Sequence, residues 1–226
     1  TYGATAIADL DLGPATITSV TGWRKLVYNP STDGDVIGLD IFQNAGVHET
    51  QVQFSQELRI ASNGTHAVDY VAGIYYFWQR IDDRFFTLYG PDAALWILGP
   101  AVEGGTTPSI GGQAALNGLF ADGTATARTR SAAAFGEVTW HLVPGLDLTG
   151  GLRYTYEKKD GSFGQVQRGP ALTETEILFG AQAIRDAFAP NIATFLARTK
   201  ENNLSGRATI AYHLTPDVMA YVTYAR

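Results

Sequence analysis

"TWHLVPGLDLTGGLRYTYEKKD" occupies residues 139–160. An apolar and aromatic run leads to His-Leu, then a tight Pro-Gly turn, then a second run that alternates. In the second run Leu146, Leu148, Leu152, Tyr154 and Tyr156 fall on one parity, and Asp147, Thr149, Arg153, Thr155 and Glu157 on the other. Ahead of the turn, Val138, Trp140 and Leu142 oppose Glu137, Thr139 and His141. A period of two, with one side apolar and one polar, is the pattern of a half-buried strand. The same arrangement recurs in "TIAYHLTPDVMAYVTYAR", residues 209–226, so the chain writes one long hairpin twice.

Working outward, "QVQFSQELRI" (51–60) places Val52, Phe54, Leu58 and Ile60 on one side, with only Gln56 breaking it. In "NLSGRATIAYHL" (203–214), Leu204, Ala208, Ile210, Tyr212 and Leu214 oppose Ser205, Arg207, Thr209 and His213. The alternation predicts eight strands, near 2–10, 15–27, 50–62, 68–81, 129–142, 146–159, 203–214 and 218–226. They pair across short turns, "DLGPA", "SNGTHAV", "VPG" and "TPD", where Pro and Gly suit chain reversal. Long segments, about 28–49, 82–128 and 160–202, separate the hairpins. A β-sandwich uses strands of about five to six residues, and long structureless loops are uncommon in compact domains. Long strands with short and long connections in strict alternation fit an all-β, antiparallel, up-and-down transmembrane β-barrel. Such a barrel has short periplasmic turns, long extracellular loops, a polar interior and an apolar exterior. Trp140, Tyr154, Tyr156, Tyr212 and Tyr224 then lie on the lipid face, several near strand ends, as interfacial aromatics do.

Composition agrees. The chain has 226 residues, 45% hydrophobic and only 17% charged, with 12% aromatic residues. It contains no apolar run long enough for a transmembrane helix and no visible signal peptide. It starts on Thr and stops inside a strand-like run at Arg226, as expected of a piece of a longer protein. The absence of Cys excludes disulfides and thiolate metal sites. Net charge is −6, and no basic cluster stands out along the sequence, which argues against nucleic acid as a partner.

Several stretches resemble the barrel of TonB-dependent outer-membrane receptors of the siderophore and iron-complex type. "FSQELRIAS" (54–62) is similar to the family's Ser-Gln-Glu-Leu-Arg strand, and "YVAGIYYFWQ" (70–79) to the strand after it. "AAFGEVTWHLVPGLDLTGGLRYTYEKKD" (133–160) and "NLSGRATIAYHLTPDVMAYVTYAR" (203–226) resemble the two hairpins that follow. The resemblance implies energy-dependent import of a scarce ligand, usually a ferric siderophore or other iron complex, sometimes cobalamin or an oligosaccharide. It implies outer-membrane lipid around the barrel of a Gram-negative cell. It also implies a TonB-type energy-transducing protein as partner, reached through an N-terminal region that this chain lacks. The family's plug domain and terminal aromatic β-signal are not in the sequence, and family barrels have about twenty-two strands. The expectation is a partial barrel over 1–226, a curved sheet whose first and last strands do not pair.

No Gly-x-Ser-x-Gly elbow or phosphate loop appears, and no catalytic, cofactor-binding or metal-binding residue is assigned. The Gly-rich stretch 99–118 lacks a phosphate-loop Lys and reads as an external loop. Asn63-Gly64-Thr65 and Asn203-Leu204-Ser205 match a glycosylation sequon, which has no meaning in a bacterial host. His141 and His213 each precede a short turn; a metal pair is one reading, and hydrogen-bonded, partly wet rim histidines are the simpler one. Glu57, Arg59, Glu137, Arg153, Glu157 and Arg207 are expected to face the lumen, either to contact the plug or to hydrate the wall and pair across strands. In the third long segment Ile177, Leu178, Ala181, Ile184, Ala187 and Phe188 recur at helical spacing, with Thr173 or Thr175 as cap. That helix would cap the barrel mouth or pack on its loop neighbours. A passive porin, a barrel-based outer-membrane enzyme and a soluble β-protein are the competing readings.

Overall fold

The computed structural model describes residues 1–226 except Thr65, Glu103, Gly104 and Thr106. One sequon threonine and part of the Gly-rich stretch therefore lie outside the described residues. Nine strands are present among them, in one antiparallel sheet. They are β1 (Tyr2–Asp11), β2 (Ala15–Tyr28), β3 (Ser31–Thr32), β4 (Phe42–Ser62), β5 (Val68–Tyr89), β6 (Phe120–Val143), β7 (Leu146–Arg168), β8 (Ile192–Thr215) and β9 (Val218–Ala225). The order across the sheet is β1-β2-β4-β5-β6-β7-β8-β9, with β3 a short addition to β4. No ladder joins β1 to β9 among the described residues, so the sheet is a partial barrel with two edges.

The eight expected strands and their pairing order are present. Two differences concern length and number. The strands of the long hairpins run 21 to 24 residues, well past the alternating segments. The reason is physical. Alternation in sequence records a contrast between lipid on one side and water on the other. About 9–11 residues cross the hydrocarbon, and beyond it both faces meet water. The outer part of β7, "DGSFGQVQR" (160–168), accordingly shows no apolar face, although it stays in register with β6. The two-residue β3 has no periodicity to read.

Register fixes the faces. Trp140 pairs with Leu148, which pairs with Ile210; one rung outward Val138, Gly150 and Ala208 align. Many large apolar side chains of this parity, among them Ile74, Leu152, Leu204 and Ile210, are exposed. A contiguous apolar surface of this kind is a liability in water and a requirement in lipid. Arg153, Thr149 and Thr155 take the opposite parity and the opposite face from Leu146 and Leu148. Gln56, on the apolar side, is satisfied locally. Its amide accepts from Thr21 and donates to Ser19 of neighbouring β2.

Short turns gather at one end. Gly13 (φ 88°) and Gly145 (φ 84°) supply left-handed backbone there, which other residues adopt only with strain. At the other end the three long connections fold together. They contain α1 (Ala93–Leu98), α2 (Ile110–Leu116), α3 (Glu174–Leu178) and α4 (Ala181–Phe188). The buried cluster of the chain sits here, not between strands: Ile41, Tyr89, Ala93, Leu116, Leu119 and Ala181 belong to it.

Because the chain has no cysteine, the faces can be read by single-cysteine labelling. In intact membranes, cysteine at Thr149 should react with a charged, water-soluble maleimide, and cysteine at Leu148 should resist it. Equal reactivity at both positions would contradict the two-sided wall.

Candidate functional site

Two regions carry polar chemistry: the polar face of the sheet and the folded cap at the long-loop end. On the polar face, Glu137 of β6 and Arg207 of β8 meet across β7, with Nε–Oε2 at 2.6 Å and Nη2–Oε1 at 2.8 Å. They reach each other because Gly151 stands between them. A Cβ there would lie 2.9 Å from Glu137 Oε2. Arg153 has no carboxylate partner among the described residues. Its guanidinium lies 5.8 Å from the Tyr75 ring centroid and 5.7 Å from that of Phe135, an attractive placement for a cation. Glu57 and Arg59 sit side by side on β4 at 3.5 Å, and Glu157 pairs with Lys159 at 2.7 Å. The six polar candidates thus share one face but form separate contacts: Glu137 with Arg207, Glu57 with Arg59, Arg153 on aromatics, and Glu157 with a lysine that the sequence reading left out.

The short-turn rim holds a chain of alternating groups. His141 Nδ1 lies 2.6 Å from Asp147, and its Nε2 lies 3.0 Å from Asp69. His213 reaches the other oxygen of Asp147 at 3.4 Å. Asp147 thus lies between the two histidines, hydrogen-bonded to His141 and in a longer contact with His213, and no metal-holding group of three is found among the described residues. Alternation along the sequence put Asp147 on this face, whereas Asp69, Tyr75 and Phe135 were not singled out and are brought there by register. Further outward the same face carries the Phe85–Phe163–Phe195 row, with centroids 5.4 and 5.7 Å apart. The Phe85 ring lies over Gly123, where a Cβ would sit 1.9 Å from it.

The cap is built on α2 and α4. Ser109 caps α2 through the Gly112 N–H, and Thr173 with Glu176 forms a capping box on α3. The Thr173 N–H and hydroxyl hold the Glu176 carboxyl below its ordinary range. The Phe42 N–H does the same for Asp35. Arg185 of α4 is buried without a carboxylate partner among the described residues. Its donors meet Ala115 O at 3.1 Å, Ala114 O at 2.9 Å and Pro170 O at 2.9 Å. Burial lowers its pKa. The expected single helix is two helices, broken at Phe179-Gly180. Its buried stripe is Ala181, Arg185 and Ala189, while Ile177, Leu178 and Phe188 are exposed. It packs on its loop neighbours: Gly111 of α2 abuts the Phe179 carbonyl. A cleft of about 710 Å³ opens between α1–α2 and the 170–176 segment, lined by Pro91, Leu95, Ile110, Gln113, Asn117 and Leu172.

A low pH affects the Glu176 contact in one direction. Its folded pKa is depressed, so the contribution to the cap is present at neutral pH. It is lost as pH falls below the ordinary carboxylate range, about 4.3. The protection factor of the Thr173 amide, corrected for the intrinsic pH dependence of exchange, should fall on acidification through that range and stay flat above it.

The sequence profile described as TonB dependent receptor-like, beta-barrel matches residues 2–226. The chain belongs to that family. It is an outer-membrane β-barrel segment of a Gram-negative bacterium. Among solved structures, the receptor barrel is similar to the ferric yersiniabactin uptake receptor FyuA from Yersinia pestis. That match has a TM-score of 0.62 at 19% identity and covers 95% of this chain and 26% of FyuA. The siderophore receptor PiuA from Acinetobacter baumannii gives 0.59 at 14% identity, covering 96% and 30%. The open form of the ferric-catecholate import receptor Fiu from E. coli K12 gives 0.51 at 17%, covering 99% and 34%. The chain therefore spans about a quarter to a third of each of these receptors, and at such identities the likeness is one of fold. No curated protein sequence matches the chain.

Proposed function

We propose that this chain is part of a TonB-dependent outer-membrane transporter that imports a ferric siderophore or other iron complex. The family match across residues 2–226 is the observation that carries the reading. Import is driven by an inner-membrane energy-transducing partner, engaged through a region outside this chain. The wall's polar face lines the lumen, and Glu57, Arg59, Glu137, Arg153, Glu157 and Arg207 serve as the surface against which a plug moves. The folded cap, with its open cleft, stands where a ligand arriving from outside would first meet the protein.

The test is uptake of radiolabelled iron complexes by cells carrying the full-length gene. Accumulation should depend on the gene, and it should stop when the TonB-type partner is depleted or the proton gradient is collapsed. Uptake that only equilibrates, without need of partner or gradient, would establish a passive channel instead. At the level of residues, the expected result of Gly151→Leu is separation of Glu137 from Arg207 without loss of barrel assembly. Transport slowed by Gly151→Leu, with heat-modifiable mobility intact, supports the lumen role. Unchanged transport assigns the pair to the wall alone.

A further inference from the structure

On the apolar side of the sheet, cations follow aromatics outward along the strands. Lys25 follows Trp23 on β2, Arg80 follows Trp78 on β5, and Lys158 follows Tyr156 on β7, each two residues toward the long-loop end and on the same face. Register assembles them into a belt. Arg130, Lys158 and Lys200 lie in one rung across β6, β7 and β8. In the next rung Arg80, Arg128, Asp160 and Arg198 align. Only Asp82 and Asp160 offset these six cations. Arg80 pairs with Asp82 at 2.7 Å, and Asp160 takes Arg198 at 2.6 Å and Lys158 at 3.4 Å. Arg128, Arg130 and Lys200 are exposed and have no carboxylate within 4 Å among the described residues.

Like charges directly opposite on neighbouring strands destabilise a sheet. Three cations abreast in one rung are held together only at a cost unless an anion lies on them. Their height identifies the anion's source. The belt begins one rung beyond Tyr76 and Tyr156, on the face that bears lipid, so it stands at the headgroups of the outer leaflet. The long-loop end fixes the leaflet as the outer one. The belt escapes notice along the sequence because its members are spread over β5 to β8.

We infer that the β5–β8 belt is a binding site for the phosphate groups of a membrane lipid headgroup, held by Arg128, Arg130 and Lys200 with Lys158 and Arg198 in support. The site is distinct from the polar face and independent of what the transporter carries.

The test uses the full-length receptor, purified and titrated with a bisphosphorylated glycolipid and with its enzymatically dephosphorylated form, by native mass spectrometry and tryptophan quenching. The phosphorylated lipid should bind more tightly, with affinity falling as salt rises. Inorganic phosphate alone should compete only at far higher concentration. The Arg128→Gln, Arg130→Gln, Lys200→Gln variant should weaken binding about a hundredfold, at about a factor of five for each surface cation removed. Arg128→Lys with Arg130→Lys should keep most of it. Equal binding of the two lipids by the unaltered receptor overturns the proposal without recourse to any variant. So does full retention of the phosphorylated lipid by the triple variant, or inorganic phosphate competing as well as the lipid.

Discussion

Replacing Arg185 with Met is expected to unfasten the cap while leaving the sheet in place. The guanidinium is buried, and its three bonds go to carbonyls: Ala114 O and Ala115 O from the last turn of α2, and Pro170 O from the third long connection. Carbonyls at a helix C-terminus lack partners within the helix and carry the negative end of its dipole. One side chain thus satisfies acceptors from two separate connections, through its planar fork of donors. Met has similar length and no donor, so the three oxygens would remain buried and unpaired. A hydrogen bond to a charged group contributes about 1.5–3 kcal/mol, and a neutral acceptor left buried and unpaired costs about 1–3 kcal/mol. The expected loss is about 3 kcal/mol or more, localised to the cap. Hydrogen exchange on the full-length receptor should show protection lost over 110–119 and 169–191 and kept in β5 to β8. Arg185→Lys should fall between, since one ammonium cannot meet three oxygens set out for a fork. Unchanged exchange in Arg185→Met would mean that Leu116 and Leu119 hold the cap without the clamp.

That clamp also marks where the sequence stops being readable. In "AQAIRDAF" (181–188) the helical spacing singles out Ala181, Ile184, Ala187 and Phe188 as the apolar stripe and leaves Arg185 out of it. The structure buries Arg185 and exposes Phe188, because the acceptors that make an arginine welcome inside come from Ala114 and Ala115, some seventy residues away. Nothing local announces them. The inner part of β7 was legible for the opposite reason. From Leu146 to Tyr156 each residue reports its own side, lipid or water, and the neighbour's identity hardly matters. Past Lys158 that contrast disappears, and the strand's extension is set by pairing with β6 and β8, which a single segment does not display. The polar face falls between these cases. Parity placed Glu137 and Arg207 on one side, but their meeting depends on the absent side chain at Gly151. The belt at Arg128, Arg130 and Lys200 is likewise a product of register: three ordinary surface residues become one charged surface only when β6, β7 and β8 are laid side by side.

A pair of adjacent substitutions separates the two faces most sharply. Leu152 lies at the middle of the apolar band that runs from Leu146 to Tyr156 on β7. It is 65% exposed on the lipid side and is flanked in its rung by Gly136 and Gly206. Its side chain lies over Gly206, where a Cβ would come within 2.7 Å of Leu152 Cδ2. Neither glycine offers a side-chain partner to a charge. An arginine at the midplane of a barrel's lipid face costs about 2–4 kcal/mol, and Leu152→Arg should reach that range. Arg153→Leu alters the next residue, on the other face. It removes the contacts with Tyr75 and Phe135, worth about 0.5–1 kcal/mol at a partly exposed site, and it desolvates nothing. The ratio between the two, more than either value, is the expected result. Equilibrium folding of the full-length receptor into bilayers should find Leu152→Arg several times more destabilising than Arg153→Leu. If Arg153→Leu proves the costlier change, the face bearing Leu146, Leu152 and Tyr154 does not meet lipid. The barrel orientation, the headgroup belt and the lumen assignment of Glu137 and Arg207 would then all fall together, since each rests on the same parity.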